Sequence, residues 1–164
     1  ERNIYLVSSN SNVQKFTKDG KLLWSYNHAA CPQATCALNQ IPAIMDGLLF
    51  AATSVGEAFA VEMDTGKLRW AVNLNKRGVD VDSCTLLAHN GTVVFTTTDL
   101  EPQNRGGFNN AMKALSAKDG SLKWKKSLDM TTFNLMLAAV GDGTLVFSDV
   151  LGGLYRIRME DGEK

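Results

Sequence analysis

The sequence predicts an all-β fold, a β-propeller of four-stranded antiparallel blades, present as an incomplete arc of about three to four blades. One observation is a repeated motif, Asp-Gly-x-Leu-x-Trp with Thr once in place of Asp, which occurs three times and begins a fourth time at Asp161-Gly162, where the sequence stops before the Trp. The glycines of the four copies are 46, 54 and 42 residues apart: Gly20, Gly66, Gly120 and Gly162. Repetition at about 40 to 50 residues indicates a repeat architecture. The other observation is that no apolar stripe has helical spacing, while Val, Thr, Phe and Leu fill the segments between turns. Four-stranded units at this period are typical of propeller blades.

Each motif predicts a β-hairpin. The glycine lies where a tight turn needs a positive φ, and the Asp before it is a residue that such turns favour. After the turn, a Leu and a Trp follow two residues apart, so both should lie on one face of a strand. We expect that face to be buried, with these pairs on it: Leu22 and Trp24, Leu68 and Trp70, Leu122 and Trp124.

A second hairpin precedes the motif. Its two-residue turns are predicted at Asp46-Gly47, Asn90-Gly91 and Asp142-Gly143. The four strands of a unit are named a to d in chain order, and strand a is expected at 41–45, 85–89 and 135–140. The expected blades are a partial blade 1 at 1–27, blade 2 at 41–73, blade 3 at 84–128 and a partial blade 4 at 135–164.

Residues 41–52 and 59–70 closely resemble the repeat of the pyrroloquinoline-quinone-like (quinoprotein alcohol dehydrogenase-like) propellers, whose core is Ala-x-Asp-x-x-Thr-Gly-Lys-x-x-Trp. The third copy has Ser116 in place of the acidic residue, and the first has a turn one residue shorter, preceded by Lys15 and Phe16. The resemblance covers nearly the whole chain. It implies a structural role for the repeated tryptophans, which dock between neighbouring blades in this family: Trp24, Trp70 and Trp124.

Members of this family usually close a ring of seven or eight blades, which needs on the order of 300 residues or more. The 164 residues here cannot close such a ring alone. We expect either a piece of a longer polypeptide or an open arc whose strand edges are covered, because uncovered edges invite aggregation. The lack of an initial Met and the end within a hairpin favour the first.

Composition argues against several classes of function. The formal net charge at pH 7 is zero and there is no basic stripe, so nucleic-acid binding is disfavoured. No apolar run approaches the roughly 18 residues of a membrane span, so no transmembrane segment is predicted. Hydrophobic residues make up 45% of the chain, as in soluble folded proteins.

The chain has three cysteines and two histidines. Cys31 and Cys36 flank a four-residue stretch and could close a small disulfide in an oxidising compartment, with free thiols as the alternative. Cys84 would then be left over. A zinc site would need further Cys or His near His28 or His89, so no metal site is predicted.

The resemblance also raises the question of a cofactor. Active quinoprotein dehydrogenases hold a quinone in the funnel of a complete ring, beside Ca²⁺ and a catalytic Asp. Many also carry a vicinal disulfide, but no Cys-Cys pair occurs here. Asp80 and Asp82 could bind a cation, although solvated loop carboxylates are the preferred interpretation, also for Asp99 and Glu101. We predict no catalytic, cofactor-binding or metal-binding residue, and the alternative is pyrroloquinoline quinone with calcium.

Loops sort by face in an up-and-down blade. The tight a-to-b and c-to-d turns share one end, and the longer d-to-a and b-to-c connections share the other, here called the loop face. The insertion 99–110 lengthens the third copy on the loop face. Long loops on a rigid scaffold often carry binding, and Arg and aromatic residues are enriched at interface hot spots. Asp99, Arg105 and Phe108 are therefore the candidate interaction residues, and a mobile surface loop without a partner is the alternative.

The predicted function is a non-catalytic scaffold that mediates protein–protein interaction, with other protein subunits of a larger assembly as partners. The first alternative is a fragment of a quinone-dependent dehydrogenase whose catalytic residues lie outside this chain. The second is a sensor of a small molecule or glycan on the loop face. The resemblance implies an extracytoplasmic compartment (periplasm, secreted or organelle lumen), although cytoplasmic relatives exist.

Overall fold

The computed structural model of the protein describes residues 3–8, 12–28, 41–54, 56–74, 81–100, 108–132 and 136–164. Within these ranges the secondary structure is all β, with fourteen strands and no helix. The strands form four antiparallel sheets, which follow one another in the sequence and are named blades 1 to 4. None of the sheets closes on itself, and the fold is an incomplete arc.

In each blade every strand pairs with the next strand in the chain, which is the expected up-and-down order. Blade 1 comprises β1 (Asn3–Val7), β2 (Asn12–Thr17) and β3 (Leu22–Asn27). Blade 2 comprises β4 (Ala43–Met45), β5 (Leu48–Ala52), β6 (Glu57–Glu62) and β7 (Leu68–Asn73). Blade 3 comprises β8 (Val81–His89), β9 (Thr92–Leu100), β10 (Phe108–Ser116) and β11 (Leu122–Leu128). Blade 4 comprises β12 (Ala138–Ala139), β13 (Thr144–Ser148) and β14 (Leu154–Arg158).

Strand a differs in length from the prediction in all three blades that show it. β4 begins two residues later than expected, at Ala43, and β12 contains only Ala138 and Ala139. β8 instead begins four residues earlier, at Val81. It is longer because β9 also continues, so that Val81 has a partner in Asp99.

The a-to-b turns of blades 2 and 3 are two-residue turns, as predicted. Asp46 and Gly47 have φ of 50° and 76°, and Asn90 and Gly91 have φ of 46° and 69°. Positive φ at both central positions defines the turn that matches the twist of a hairpin.

The predicted two-residue turn Asp142-Gly143 in blade 4 is wrong. The Val140 N–H donates to the Thr144 carbonyl at 3.0 Å around a loop of three residues, 141–143. Gly141 and Gly143 supply positive φ on either side of Asp142, and the Asp142 carboxylate accepts the Thr144 N–H at 3.1 Å. A glycine before the Asp therefore allows a longer loop than the dipeptide signal indicates.

A β-bulge after each of the first three c-to-d turns moves the motif Leu away from the core. Val61 pairs with Leu68 and Ala60 pairs with Trp70, so the register shifts by one residue between them. Leu68 and Trp70 therefore lie on opposite faces: Leu68 is 47% exposed, whereas Trp70 is buried. The expected shared face is wrong, because period-two spacing fails across a bulge. The same shift and exposure recur at Leu22 and Leu122.

The apolar core lies between neighbouring blades. Three clusters of buried side chains join blades 1 and 2, blades 2 and 3, and blades 3 and 4 in turn. They centre on these residues in that order: Val13, Leu49 and Phe59; Phe50, Trp70 and Phe95; Met112, Leu145 and Ile157. Blades 2 and 3 are covered on both sides, and their inner strands β5, β6 and β9 are accordingly buried on both faces.

Candidate interaction surface and blade junctions

A tryptophan of each of the first three blades donates a hydrogen bond to the next blade. The donor and acceptor pairs are Trp24 Nε1 and the Met63 carbonyl (3.1 Å), Trp70 Nε1 and the Ala117 carbonyl (2.8 Å), and Trp124 Nε1 and the Met159 carbonyl (2.9 Å). A buried donor without an acceptor typically costs about 1–3 kcal/mol. The bond therefore fixes the position of the neighbouring c-to-d turn.

The accepting residue also holds its own blade together. The Met63 N–H donates to the Gly47 carbonyl at 2.8 Å, in the a-to-b turn of the same blade, while its carbonyl accepts from Trp24. Ala117 and Met159 donate in the same way to the a-to-b turns of blades 3 and 4, at 3.0 and 2.9 Å. One turn residue thus ties two turns of one blade to the tryptophan of the preceding blade.

The motif glycine leaves room for the indole. A Cβ atom at Gly66, whose φ is 70°, would lie 2.7 Å from Trp24 Cδ2. The next two junctions have the same close approach. A Cβ atom would lie 2.8 Å from the Trp70 ring at Gly120 and 2.9 Å from the Trp124 ring at Gly162. The close approach explains why a glycine recurs at this position.

The junction between blades 1 and 2 is unusually polar. Three donors converge on the Met63 carbonyl: Tyr5 Oη at 3.4 Å, Lys15 Nζ at 3.0 Å and Trp24 Nε1 at 3.1 Å. The Lys15 side chain is buried, with its ammonium 3.8 Å from the exposed Asp64 carboxylate. Lys15 pairs with Trp24 across the hairpin, at the position that is alanine in blades 2 and 3.

A second polar cluster lies at the loop-face end of the same junction. Buried His28 has Nδ1 at 2.9 Å from the Tyr26 hydroxyl and Nε2 at 2.9 Å from Glu57 Oε2. Its ring stacks on Phe59, with centroids 4.4 Å apart and planes at 11°. Burial, and then the Glu57 carboxylate, raise the pKa of Tyr26, so its hydroxyl keeps its proton at neutral pH. No sequence signal reveals the cluster, because 29 residues separate His28 from Glu57.

Blade 3 rises above its neighbours on the loop face. In blade 2 the chain turns at Thr53, whose hydroxyl accepts the Glu57 N–H at 3.1 Å, and in blade 4 it turns at Asp149. In blade 3 the equivalent Thr97 lies inside a strand, and pairing continues to Leu100 opposite Phe108. Three more residues of strand add about 10 Å. We call this part, residues 98–100 and 108–110, the blade 3 extension.

At the base of the extension, two buried side-chain atoms have no hydrogen-bond partner among the described residues: Thr97 Oγ1 and Asn110 Oδ1. Nearby, the hydroxyls of Thr132 and Thr96 bond to each other at 2.8 Å. Unpaired buried polar atoms are uncommon, and ordered water is the usual partner for them.

The structure describes some of the candidate residues predicted from the sequence and not others. Asp99 lies in β9, paired with Asn109, and Phe108 begins β10. The insertion is therefore partly strand, although it was expected to be loop. Arg105 lies outside the described residues, as do Asp80 and Glu101 and the two cysteines of the expected disulfide, Cys31 and Cys36. Asp82 and Cys84 lie in β8.

A buried lysine that sequence reasoning missed lies between blades 2 and 3. Lys113 lies in β10, and its ammonium donates to the Leu74 carbonyl, directly after β7. An apolar residue, Phe59, occupies the equivalent position in blade 2. Lys113 thus fixes the end of strand d of blade 2 against blade 3.

Asp149 organises the b-to-c turn of blade 4. Its carboxylate accepts the Tyr155 hydroxyl at 2.6 Å, the Gly153 N–H at 2.8 Å and the Leu151 N–H at 2.9 Å. These bonds, the Tyr155 hydroxyl first, hold the pKa of Asp149 below its ordinary value. The Tyr155 ring stacks on Phe147 with centroids 4.9 Å apart. The Asp149 carboxylate therefore accepts its hydrogen bonds from its own turn and stabilises the conformation of that turn.

The described ranges do not contain a set of metal ligands. No three His, Cys, Asp or Glu side chains come together there in a way that could hold an ion. Among the same residues, no helix is long and apolar enough to cross a membrane.

Solved structures confirm the propeller fold. BamB from Moraxella catarrhalis matches with a TM-score of 0.75 at 18% identity, over 98% of this chain and 44% of that one. Quinohemoprotein alcohol dehydrogenases match too: ADHIIG from Pseudomonas putida HK5 (TM-score 0.73, 16% identity, 98% of this chain and 31% of that one) and the Comamonas testosteroni enzyme (0.73, 16%, 98% and 32%). The chain thus spans less than half the length of these proteins.

Family comparison agrees with the repeat motif. No curated protein matches the chain significantly. The family model described as outer membrane protein assembly factor BamB, of the PQQ-like repeat type, matches residues 9–164. This match covers nearly all of the sequence, including every copy of the Gly-x-Leu-x-Trp motif. The chain therefore belongs to the PQQ-like repeat family of the outer membrane protein assembly factor BamB.

Proposed function

We propose that the chain is part of a non-catalytic propeller scaffold that binds other protein subunits of a larger assembly. The blade 3 extension carries the proposal. It projects about 10 Å beyond the turns of blades 2 and 4, from strands held in a four-stranded sheet. A projecting segment on a rigid support is a common arrangement for recognition. The description of the family as an assembly factor supports the same function.

The candidate contact residues are Asp99, Arg105 and Phe108. Arg and aromatic side chains contribute more than most to the free energy of protein association. Asp99 and Phe108 lie on paired strands, so little backbone order would be lost when a partner binds.

Replacement of the extension tests the proposal. Residues 97–110 are exchanged for the equivalent short turn 53–56 of blade 2, in the full-length protein expressed in its source. Lys67→Ala and Lys118→Ala, both on exposed turns of the opposite face, serve as controls. We expect the exchange to remove the co-purifying subunits and the two controls to keep them. Subunits that remain bound after the exchange would refute a role for the extension.

A fragment of a quinone-dependent dehydrogenase is the second candidate. The similarity to quinohemoprotein alcohol dehydrogenases concerns the fold alone, at 16% identity. The catalytic residues of such a dehydrogenase would lie outside this chain. Reconstitution of the full-length protein with pyrroloquinoline quinone and Ca²⁺, followed by dye reduction with alcohols, separates the two functions. The scaffold proposal predicts no activity above that of the free quinone.

A further inference from the structure

The outer strands of the first three blades differ in the charge that they expose. Each of these strands, β3, β7 and β11, ends its sheet among the described residues. The free edge of an end strand is a template for another strand, and proteins commonly protect it with charged side chains, especially lysine. β11 carries Lys123, Lys125 and Lys126, and β7 carries Arg69. No residue of β3, Leu22–Asn27, is charged.

The register shows which positions of β3 have lost the charge. Leu23, one residue before the tryptophan of its blade, corresponds to Arg69 and Lys123. Ser25, one residue after that tryptophan, corresponds to Lys125 in blade 3. Leu23 is 47% exposed, and Ser25 is exposed too. The corresponding residues of blades 2 and 3 are also exposed, so the exposure belongs to the outer strand of a blade and not to the position of blade 1 in the arc.

The backbone of β3 directs polar groups away from its own sheet. In blade 2 the Leu74 N–H donates to the Gly56 carbonyl at 2.7 Å, on the β6 side. Bonding alternates along an antiparallel strand, so Ala71 directs its N–H and C=O groups outward. Ser25 and Asn27 hold the equivalent outward positions in β3. The edge of β3 therefore offers backbone donors and acceptors without a charged side chain to exclude a partner.

A second folded copy of the chain is a poor occupant of this edge. β3 has six residues, so it is about 20 Å long, and neighbouring strands lie about 5 Å apart. A strip of that size between two rigid copies is far smaller than the roughly 1,200 Å² of a stable protein–protein interface.

An extended segment fits the same edge better. When a strand is added to a sheet, main-chain hydrogen bonds supply the affinity and alternate side chains supply the specificity. Charge complementarity favours an uncharged segment, because β3 has no charged side chain to pair with one. An apolar side chain opposite Leu23 would give a favourable cross-strand pair.

We propose that β3 is a docking edge, where an extended, uncharged segment of another protein subunit adds as a further strand of blade 1. This edge lies in blade 1, and the extension with the candidate contact residues lies in blade 3. Either surface can therefore bind a subunit without the other.

A benzophenone amino acid at position 23 of the full-length protein, expressed in its source, tests for the occupant. We expect a cross-link to one segment of another protein. A cross-link to the same polypeptide or to a second copy, or no cross-link, would overturn the proposal. The cross-link reports on β3 alone, so its result does not depend on whether the exchange of residues 97–110 removes a subunit.

A matched pair of lysine substitutions tests whether the edge must be uncharged. Ser25→Lys gives β3 the residue that β11 has at this position, and Ala71→Lys makes the same change on β7 as the control. Both positions are exposed, so both variants should keep the Tm of the parent. Ser25→Lys should reduce the yield of the cross-link at least about tenfold, and Ala71→Lys should leave it unchanged. No loss, or an equal loss in both variants, would contradict the proposal.

Hydrogen exchange separates the addition of a strand from contact through side chains alone. The Ser25 and Asn27 N–H groups point outward, so an added strand should slow their exchange at least about tenfold relative to the protein separated from its subunits. The Tyr26 N–H, directed to β2, is the internal reference and should exchange slowly in both states. Equal rates at Ser25 and Asn27 with and without the subunits would refute strand addition.

Discussion

Met63, Ala117 and Met159 differ in side-chain size, yet they occupy one structural position. Each uses only its backbone, with the N–H directed to its own a-to-b turn and the carbonyl to the preceding tryptophan. Sequence motifs reveal the donors, because Trp is repeated, but not the acceptors, whose side chains are free to vary. In each junction, the sequence therefore predicts the tryptophan that donates the hydrogen bond but not the residue that accepts it.

Substitution of Trp70 tests the contribution of one docked indole. Trp70→Ala should lower the free energy of unfolding by about 3–5 kcal/mol, the usual loss for a buried Trp. Trp70→Phe keeps much of the apolar contact but leaves the Ala117 carbonyl without its donor, a loss of about 1–3 kcal/mol. Urea unfolding measures both, with exposed Lys67→Ala as the control. An unchanged midpoint for Trp70→Ala would contradict a structural role for the tryptophan.

Acid titration tests the bonds that Asp149 accepts. Its pKa is lowered in the folded state, so its contribution to stability is present above the unfolded pKa of about 3.9 and is lost as pH falls through the folded value. Tyr155→Phe removes the first of the three donors and keeps the ring stacked on Phe147. The pKa of Asp149 should rise towards its ordinary value, and stability should fall less between pH 7 and pH 3.

Carboxyl ¹³C chemical shifts followed by NMR measure this pKa directly. Asp119 is the internal reference, because its lowered pKa depends first on the Ser121 N–H, in another blade. A pKa of Asp149 that is the same in the variant and the parent would show that the Tyr155 bond does not stabilise the carboxylate.

Among the secondary-structure elements, the hairpins were predictable and their irregularities were not. Glycine with Asp or Asn predicts two-residue turns correctly at Gly47 and Gly91, because their backbones need positive φ. No residue type marks the bulge beside each tryptophan. The bulged residue is Leu23 in blade 1, Arg69 in blade 2 and Lys123 in blade 3. The blade 3 extension escaped prediction because Thr, Asp and Asn in 96–99 and 109–110 lack the apolar alternation of a strand.

The His28 and Glu57 pair allows a double-mutant cycle on one junction. The next junction has Leu74 and Ala111 at the equivalent positions, both buried. Glu57→Ala alone leaves the buried His28 Nε2 without its partner, which should cost about 1–3 kcal/mol. His28→Leu with Glu57→Ala places the apolar residues of the next junction at these two positions, and should lose less stability than the sum of the single changes by about 0.5–3 kcal/mol.

Chemical denaturation of the parent, both single variants and the double variant gives the coupling energy. Strictly additive losses would mean that His28 and Glu57 do not act as a pair. A double variant as stable as the parent would fit the general finding that replacing both partners of a buried hydrogen bond by apolar groups can be nearly neutral.

For the whole molecule, the repeat defines the architecture but leaves function to the places where copies differ. The family and the propeller arc follow from the motif, because a tryptophan that recurs at the same place in each repeat is typical of stacked, equivalent units. The candidate interaction site depends on the insertion in one copy. The sequence predicts where this insertion lies, but not that part of it forms paired strands. The polar junction between blades 1 and 2 depends on contacts between residues far apart in sequence, which no single sequence displays.

Native mass spectrometry of the full-length protein isolated from its source tests the scaffold most directly. It records the intact chain, the subunits that remain bound and any bound small molecule. We expect other polypeptides at a fixed stoichiometry, lost when residues 97–110 are replaced, and no mass corresponding to a quinone. A chain that carries pyrroloquinoline quinone and a divalent ion, and binds no other polypeptide, would contradict the scaffold and establish the dehydrogenase.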